Sequence, residues 1–254
     1  MPQFQDHFAP VAATYASARP SYPPLLFAWL AKTCSARDLV WDCATGNGQA
    51  AVALGDWFTR VIATDASSEQ LVHAQPHDRV IYRRTSAEDS GLRDASVDLI
   101  TVAQALHWFD LPRFHREVRR VLKPNGLFAA WSYGRLRIDD PAVDRFFQSF
   151  YSETLSAYWP AERHHVETGY RDLAFPLRLQ PVPTFTMTDG WTCGQVFGYV
   201  RSWSATAKLC EARGEVAMDS FIARLLQIWG DPERTCVVTW PLTILVGHPL
   251  DDSI

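Results

Sequence analysis

The sequence has few cysteines, and none of them stands at a CxxC spacing. The five are Cys34, Cys43, Cys193, Cys210 and Cys236. An odd number of scattered cysteines predicts neither a disulfide framework nor a zinc site. The adjacent pair His164-His165 has no carboxylate or cysteine at ligand spacing, so we predict no metal site there and expect an exposed loop or a helix end.

The sequence also lacks an excess of positive charge and any long apolar run. Its formal net charge is −4 and its pI is near 6.0, whereas nucleic acids and anionic lipids are usually met by clustered Lys and Arg. No stretch reaches the roughly 18 apolar residues of a membrane span, and the start MPQFQDHFAP does not resemble a secretion signal. We therefore expect a cytoplasmic protein without nucleic-acid or membrane partners.

The first half alternates short apolar runs with segments of helical composition. Five strands are predicted, at Leu39 to Cys43, Arg60 to Thr64, Val80 to Arg84, Val97 to Ala103 and Leu127 to Tyr133. Helices are predicted at Gln49 to Trp57, Ser68 to Gln75 and Leu111 to Leu122, the last ended by the turn Lys123-Pro124-Asn125-Gly126. This alternation is typical of βαβ units that build a mostly parallel sheet.

The third helix carries several arginines on the face opposite its apolar residues. They are Arg113, Arg116, Arg119 and Arg120. A polar face on an amphipathic helix is usually solvated, so we interpret these arginines as surface residues and not as a phosphate site.

The second half is rich in aromatic residues and has a weaker pattern. It predicts helices at Asp140 to Tyr158 and Asp219 to Trp229, and strands near Leu177 to Met187 and Cys236 to Val246 that join the same sheet. No linker separates the halves, so we expect one domain. Its parts are an N-terminal lid and helix at 1–36, a cofactor-binding core at 37–135, a helical region covering the substrate at 136–235, and a final strand and tail at 236–254.

A glycine-containing loop, Asp42 to Gly48, follows the first strand directly and precedes a helix. Glycines there let the backbone approach a ligand, although a tight connection alone would use the same residues. Asp65 ends the second strand, where a carboxylate can accept both hydroxyls of a ribose. Alternatively, Asp65 caps the next helix, a role that Ser67 could also fill.

The segment Gly46 to Ala51 also fits the G-x-G-x-x-A form of the dinucleotide fingerprint, so a nicotinamide-dependent oxidoreductase is an alternative. Two features count against it. The strand lies far from the N-terminus, and Asp42 leads into the glycines. A carboxylate there repels a pyrophosphate but suits a cationic amino-acid group.

Six segments in order resemble one family. They are Phe8 with Tyr15 to Pro23, Trp41 to Gln49, Val61 to Ser67, Ser86 to Asp89, Gln104 to Asp110, and Leu122 to Gly126 with Trp131 to Tyr133. Together they resemble the class I S-adenosylmethionine (SAM)-dependent methyltransferases, and within them the branch similar to trans-aconitate methyltransferase. The resemblance covers about residues 4–135. It departs from the family at Ala44, where the D-x-G-x-G-x-G pattern has its first glycine.

The resemblance implies a Rossmann-like α/β fold: a doubly wound, mostly parallel, seven-stranded sheet with helices on both faces. It implies SAM as cofactor and S-adenosylhomocysteine as product. The implied cofactor-binding residues are Tyr15, Arg19, Asp42, Ala44, Thr45, Gly46, Gly48, Asp65, Ala66, Ala87, Glu88, Gln104, Ala105 and Trp108. Tyr15 and Arg19 belong to an N-terminal lid, for which a purely structural tie is the alternative.

Methyl transfer from a sulfonium requires alignment of the acceptor and exclusion of water more than any particular catalytic side chain. His107 is the candidate base, and packing against the cofactor or capping a helix is its alternative role. We expect a small-molecule acceptor, an organic acid carboxylate or a hydroxyl, or alternatively a catalytically silent SAM-binding module. The candidates for an acceptor pocket are Trp159, Trp191, Tyr199, Trp203 and Trp229, with Arg135, Arg137 or Arg201 for a carboxylate.

Overall fold

The structure, a computed structural model, describes residues Pro20–Leu250. Tyr15 and Arg19, the residues of the predicted lid, lie outside the described residues. The first half contains α1 (Pro24–Thr33), β1 (Leu39–Cys43), α2 (Gln49–Gly55), β2 (Arg60–Asp65), α3 (Ser68–Val72), β3 (Val80–Arg84), β4 (Val97–Ala103), a 3₁₀ turn (Leu106–Trp108), α4 (Leu111–Val121) and β5 (Leu122–Tyr133). All five predicted strands are present, and α2 and α3 end earlier than predicted.

The second half has more elements than the sequence pattern predicted. They are β6 (Arg137–Ile138), α5 (Pro141–Ser149), a π turn (Phe150–Thr154), a 3₁₀ turn (Ser156–Tyr158), α6 (Arg163–Glu167), β7 (Leu177–Leu179), β8 (Met187–Trp191), α7 (Cys193–Arg201), α8 (Ser204–Arg213), α9 (Val216–Trp229), β9 (Cys236–Trp240) and β10 (Leu242–Pro249). The single helix predicted from Asp140 to Tyr158 is therefore three consecutive segments. Helices α7 and α8 were not predicted.

Seven strands form the main sheet, in the order β3-β2-β1-β4-β5-β10-β7. The first five are parallel, whereas β10 runs antiparallel to both of its neighbours. The strand order reverses between β1 and β4, and ligands of open α/β sheets bind at the carboxyl ends of the strands beside such a reversal. The predicted fold class is confirmed.

The sheet is covered on both faces. On one face, Leu26 of α1 and Leu54 of α2 are buried with Val40 of β1. On the other, Phe114 and Val118 of α4 are buried with residues of the same strands. Burial of both faces explains why the central strands are almost uninterrupted apolar runs.

The chain divides into two compact units. The sheet unit comprises Ser21–Gly134, His164–Thr186 and the described residues from Pro241 onward, and it holds the main sheet. The helical unit includes Arg135–Arg163 and Met187–Trp240, with a three-stranded antiparallel sheet in the order β6-β9-β8. The one-domain organisation stays a prediction.

Two predicted strands are wrong as single elements, and proline explains both. Leu177 to Met187 separates into β7 and β8, which belong to different sheets, with Pro181 and Pro183 between them. Cys236 to Val246 breaks at Pro241, so that β9 joins the small sheet and β10 the main sheet. Proline has no N–H group for a ladder hydrogen bond, and it interrupts strand pairing.

The predicted turn at residues 123–126 falls within the range of β5, as an irregular segment in which Gly126 lies close to Leu122 and to Lys123 O. Pairing of β4 with β5 passes from Val97↔Leu122 to Leu99↔Leu127, a register shift that leaves extra residues on β5. A bulge of this kind tolerates Pro124 inside a strand. Among residues 20–250, no helix combines the length and apolar character needed to span a bilayer.

Candidate active site

The loop between β1 and α2 has an unusual backbone. Ala44, Gly46 and Gly48 have φ angles of 54°, 58° and 86°, in the left-handed region. Two hydrogen bonds close the loop, from Thr45 N to Thr64 O at 2.9 Å and from Gly48 N to Thr45 O at 3.0 Å. The curled loop lies at the carboxyl end of β1, beside the reversal of strand order.

Within this loop, Gly48 is the residue that least tolerates a side chain. A Cβ atom there would overlap the hydroxyl of Tyr82 and lie 2.9 Å from its Cζ atom. Tyr82 is held in place because its hydroxyl donates to Gln75 O at 2.6 Å. Tyr82, in β3, was not among the predicted site residues, and its sequence context gives no signal for this contact.

Ala44 adopts the backbone conformation that the family pattern assigns to glycine. An alanine in the left-handed region costs roughly 1 kcal/mol, because its Cβ crowds the backbone. The departure from the glycine pattern therefore carries a backbone strain in the loop itself.

Replacing Ala44 with glycine is expected to raise the free energy of unfolding by about 0.5–1 kcal/mol. Ala95 is a matched control, because it also has a positive φ, of 46°, but is exposed in another loop. We expect Ala44→Gly and Ala95→Gly to stabilise the protein similarly in chemical denaturation. A loss of stability in Ala44→Gly with a gain in Ala95→Gly would contradict a strained Ala44.

Asp42 is a buried carboxylate at the end of β1. It is 1% exposed and accepts hydrogen bonds from Thr101 Oγ1 at 2.6 Å and Thr45 Oγ1 at 2.5 Å. Burial raises the pKa of Asp42 to about 6, and the nearby charge of Asp65 adds to this rise. The hydrogen bonds from Thr101 and Thr45 lower the pKa, but their effect is smaller than that of burial. Thr101 was missed from the sequence, although it is a polar residue inside an apolar strand.

The raised pKa of Asp42 predicts opposite pH dependences for stability and for cation binding. The pKa of Asp42 in the folded protein, about 6, lies above its ordinary value of 3.8. The folded state is therefore stabilised by the protonated form of Asp42. This stabilisation is complete below pH 3.8 and is lost as the pH rises through 6. We expect the unfolding free energy to fall by about 1 kcal/mol from pH 5 to pH 7. Over the same interval, affinity for a cationic ligand should rise by about tenfold as the carboxylate ionises.

Asp42→Asn is the variant that tests this pair of trends. An amide does not titrate, so the contribution of residue 42 to both trends should disappear. Chemical denaturation and ligand titration of the wild type and of Asp42→Asn at pH 5, 6 and 7 would measure this contribution. Identical pH profiles for the two proteins would show that Asp42 does not titrate in this range.

Asp65 ties the glycine loop to the end of β2. Its Oδ2 atom accepts from Gly46 N at 2.9 Å, and its Oδ1 atom accepts from Ser67 N at 2.8 Å. The cap of α3 is Ser67, whose side chain accepts from Gln70 N at 3.3 Å. A carboxylate has about four lone-pair sites, so two remain for a ligand.

Ala66, Ala87 and Glu88 are the predicted site residues in the loops that follow β2 and β3. Ala66 follows Asp65, and its carbonyl accepts from Arg84 Nε at 3.2 Å. Ala87 is half-buried against the core, and Glu88 Oε1 accepts from Asp110 N at 3.2 Å. These contacts fix the loop after β3 near the start of α4.

Gln104 follows β4 in a strained conformation, with a φ of 61°. Its backbone N–H donates to Trp131 O at 2.8 Å, whereas its buried side-chain Nε2 atom has no hydrogen-bond partner among residues 20–250. An unsatisfied buried amide costs about 1–3 kcal/mol. Such an atom beside the glycine loop is well placed to donate to a ligand.

The 3₁₀ turn after Gln104 presents the remaining predicted residues. Ala105 is buried, whereas Trp108 is 56% exposed. His107 is half-buried, its Nδ1 atom lies 3.1 Å from the hydroxyl of Tyr170, and its ring contacts that of Trp108. Tyr170 comes from a distant segment and could not be predicted from the sequence.

The helical unit holds the aromatic residues predicted to line an acceptor pocket. Trp159, Trp203 and Tyr151 pack together, with ring centroids 4.8–5.6 Å apart. The Arg135 guanidinium lies 4.0 Å from the Tyr151 ring centroid. Trp191 and Trp229 are almost fully buried, and Tyr199 is also buried, as core residues are.

Two of the arginines predicted to hold a carboxylate already pair with acidic side chains. Arg137 pairs with Asp144 at 3.2 Å and Arg201 with Glu215 at 2.5 Å. In the sheet unit, His164 and His165 lie in the five-residue helix α6. His165 Nδ1 lies 2.8 Å from Asp172.

Comparison with known proteins identifies the family. A family described as a methyltransferase domain matches residues 41–130, which include the glycine loop, Asp65 and His107. A Dictyostelium discoideum protein named as a methyltransferase is 34% identical over 230 residues, covering 89% of this chain and 88% of that protein. The chain belongs to the SAM-dependent methyltransferases. The alternative hypothesis, a nicotinamide-dependent oxidoreductase, is therefore abandoned.

Two further similarities agree with this methyltransferase assignment. A solved structure of a type II methyltransferase from Anaeromyxobacter dehalogenans is 42% identical, with a TM-score of 0.84, and covers 91% of this chain and 97% of its own. A Saccharomyces cerevisiae protein named as a SAM-dependent methyltransferase is 32% identical over 131 residues, 48% of this chain and 45% of its own length. The yeast similarity thus spans about half of each protein.

The donor set of the site fits SAM. Asp42 and Asp65 are carboxylates, which suit an amino group and ribose hydroxyls, and Gln104 has a buried side-chain N–H group that is unpaired among the described residues. Within the glycine loop, Gly46 and Gly48 leave the backbone open to close approach by a ligand. These features belong to the sheet unit alone.

Proposed function

We propose that this methyltransferase transfers the methyl group of SAM to a small-molecule acceptor, an organic acid carboxylate or a hydroxyl, and releases S-adenosylhomocysteine. The observation that carries the proposal is the pair of carboxylates, Asp42 and Asp65, on either side of a loop with three left-handed residues. The resemblance to trans-aconitate methyltransferase supports an organic acid carboxylate as the methyl acceptor. The sequence composition supports a cytoplasmic location for the protein.

In the proposed complex, Asp65 accepts from the ribose hydroxyls and Asp42 faces the amino group of the methionine part. The Gln104 amide donates to the amino-acid carboxylate, and Ala87 and Glu88 border the adenine. When bound, SAM supplies an electrophilic sulfonium methyl. The protein's contribution is to hold the acceptor in line with that methyl group. Such orientation can lower the activation free energy by about 7–11 kcal/mol.

His107 is the proposed base for a hydroxyl acceptor. The Tyr170 hydroxyl, 3.1 Å from Nδ1, orients the imidazole ring. When Nδ1 donates its proton to Tyr170, Nε2 is the basic nitrogen and can remove the hydroxyl proton during transfer. A carboxylate acceptor is already ionised and needs no base.

His107→Gln is expected to separate the two acceptor classes. With a hydroxyl acceptor, kcat should fall by about 10²–10⁴, the usual contribution of a general base. With a carboxylate acceptor, kcat should be retained. The affinity for S-adenosylhomocysteine, measured by calorimetry, should stay within twofold; unaltered kcat with a hydroxyl acceptor would remove His107 from the chemistry.

The proposed function is tested by following the labelled methyl group of SAM into a panel of small carboxylic acids and alcohols. S-adenosylhomocysteine titration, with NAD as control, is done in parallel. Binding of S-adenosylhomocysteine with transfer to one acceptor class supports the proposal. Binding without transfer to any acceptor favours the alternative, a silent SAM-binding module acting through a partner.

A further inference from the structure

A cavity with basic walls lies at the edge of the main sheet opposite the glycine loop. Its basic lining residues are Arg116, Arg119, Arg120, Lys123, Arg178 and His248. The first residues of β5 and the last residues of β10 contribute to it, and β10 runs antiparallel to β5. The cavity therefore lies at the amino ends of the parallel strands, whereas Asp42 and Asp65 lie at their carboxyl ends.

The walls of this basic cavity carry charge of one sign. Six of the eleven lining residues are Arg, Lys or His, and none is Asp or Glu. The chain as a whole has a formal net charge of −4, so the positive charge here is a local concentration. From sequence alone, the arginines of α4 were interpreted as a solvated face; the structure adds basic residues from β5, β7 and β10 around one cavity.

Two of the cations are already neutralised by structural ion pairs. Arg120 binds Glu117 at 2.7 Å and Asp94 at 2.6 Å, and Lys123 binds Asp98 at 2.6 Å. These ion pairs hold Arg120 and Lys123 in place in the wall of the cavity, and they do not involve Arg116 or Arg178.

Arg116 and Arg178 are the cations open to a ligand. Both are exposed, and neither makes a salt bridge with any residue between Pro20 and Leu250. They come from α4 and β7, and Arg178 pairs in register with His248, whose ring is held by a 2.8 Å contact from Nδ1 to Gly126 O. Guanidinium groups from separate elements can each bind an oxyanion through two parallel hydrogen bonds.

We infer that this basic cavity is a second ligand site, which binds a small multivalent oxyanion bearing phosphate or carboxylate groups. Its volume of about 660 Å³ suits a small molecule, for which pockets usually measure 300–1,000 Å³. A single monovalent anion would compensate only one of the two open guanidinium charges, those of Arg116 and Arg178. The inference does not depend on the acceptor of the methyl group.

Calorimetric titration of the whole protein with pyrophosphate and with citrate, in about 0.15 M NaCl to screen weak surface binding, tests the inference. We expect saturable binding of at least one of them, and the tighter one shows whether phosphate or carboxylate is preferred. Arg116→Gln and Arg178→Gln should each weaken it at least fivefold. Arg113→Gln, on the same helix but outside the cavity, should change it by less than twofold.

Other outcomes would overturn the inference. Equal weakening by Arg113→Gln would show only a general charge effect, and competition with S-adenosylhomocysteine would place the anion in the cofactor site. Binding of a long oligonucleotide but of neither small anion would indicate a nucleic-acid surface.

Discussion

Gly48→Ala is expected to weaken S-adenosylhomocysteine binding by at least about a hundredfold, or roughly 2.7 kcal/mol. Residue 48 has a φ of 86°, and a Cβ there would overlap the Tyr82 hydroxyl. Either Tyr82 leaves its hydrogen bond with Gln75 or the loop moves away from β3. Movement of the loop also separates Gly46 N from Asp65, and the site loses its shape.

Gly91→Ala is the matched control for this variant. Gly91 also has a positive φ, of 66°, but a Cβ there meets nothing within 4 Å. We expect both variants to lose about 1 kcal/mol of stability from backbone strain, and only Gly48→Ala to lose cofactor affinity. Tyr82→Leu combined with Gly48→Ala should recover part of that affinity if overlap is the cause. Equal affinities for Gly48→Ala and wild type would contradict a close contact at this loop.

The sheet and the order of the site's segments could be predicted because their signals are local. Each central strand is a short apolar run, and β1 is followed at once by the loop that begins with Asp42. Parallel pairing then brings the carboxyl ends of β1, β2 and β4 together without further information. Asp42, Asp65 and Gln104 accordingly lie at the carboxyl ends of neighbouring strands, and their binding roles stay predictions.

The partners of these residues could not be predicted, because they depend on register and on distant segments. Thr101 reaches Asp42 only through the pairing Asp42↔Thr101 between β1 and β4. Tyr170, which contacts His107, comes from a segment 63 positions away. In the second half, the apolar run across Pro241 concealed a change from one sheet to the other, since periodicity alone does not report which strands pair.

The two carboxylates of the site have different environments, and this difference suits different tasks. Asp42 is buried and its pKa is raised to about 6, so its charge is most favourable when a cation lies beside it. Asp65 instead accepts hydrogen bonds from two backbone N–H groups, which leave about two lone-pair sites of its carboxylate open. Asp65 is thus prepared to accept further hydrogen bonds without needing a cation.

Asp65→Ala is accordingly expected to lower S-adenosylhomocysteine affinity by about 10- to 150-fold, since hydrogen bonds to a charged group are worth about 1.5–3 kcal/mol. The variant also leaves Gly46 N and Ser67 N without their acceptor, so its stability must be measured as well. Asp65→Asn keeps the shape and one acceptor oxygen, and should lose less affinity.

Asp140→Ala separates the loss of binding from the loss of stability. Asp140 also accepts from two backbone N–H groups, those of Ala142 and Val143, at 3.0 and 3.1 Å, but in the helical unit. Both alanine variants should therefore be destabilised by a similar amount in denaturation, and only Asp65→Ala should lose cofactor affinity. If affinity instead followed stability in both variants, Asp65 would be a structural tie of the glycine loop and not a ribose ligand.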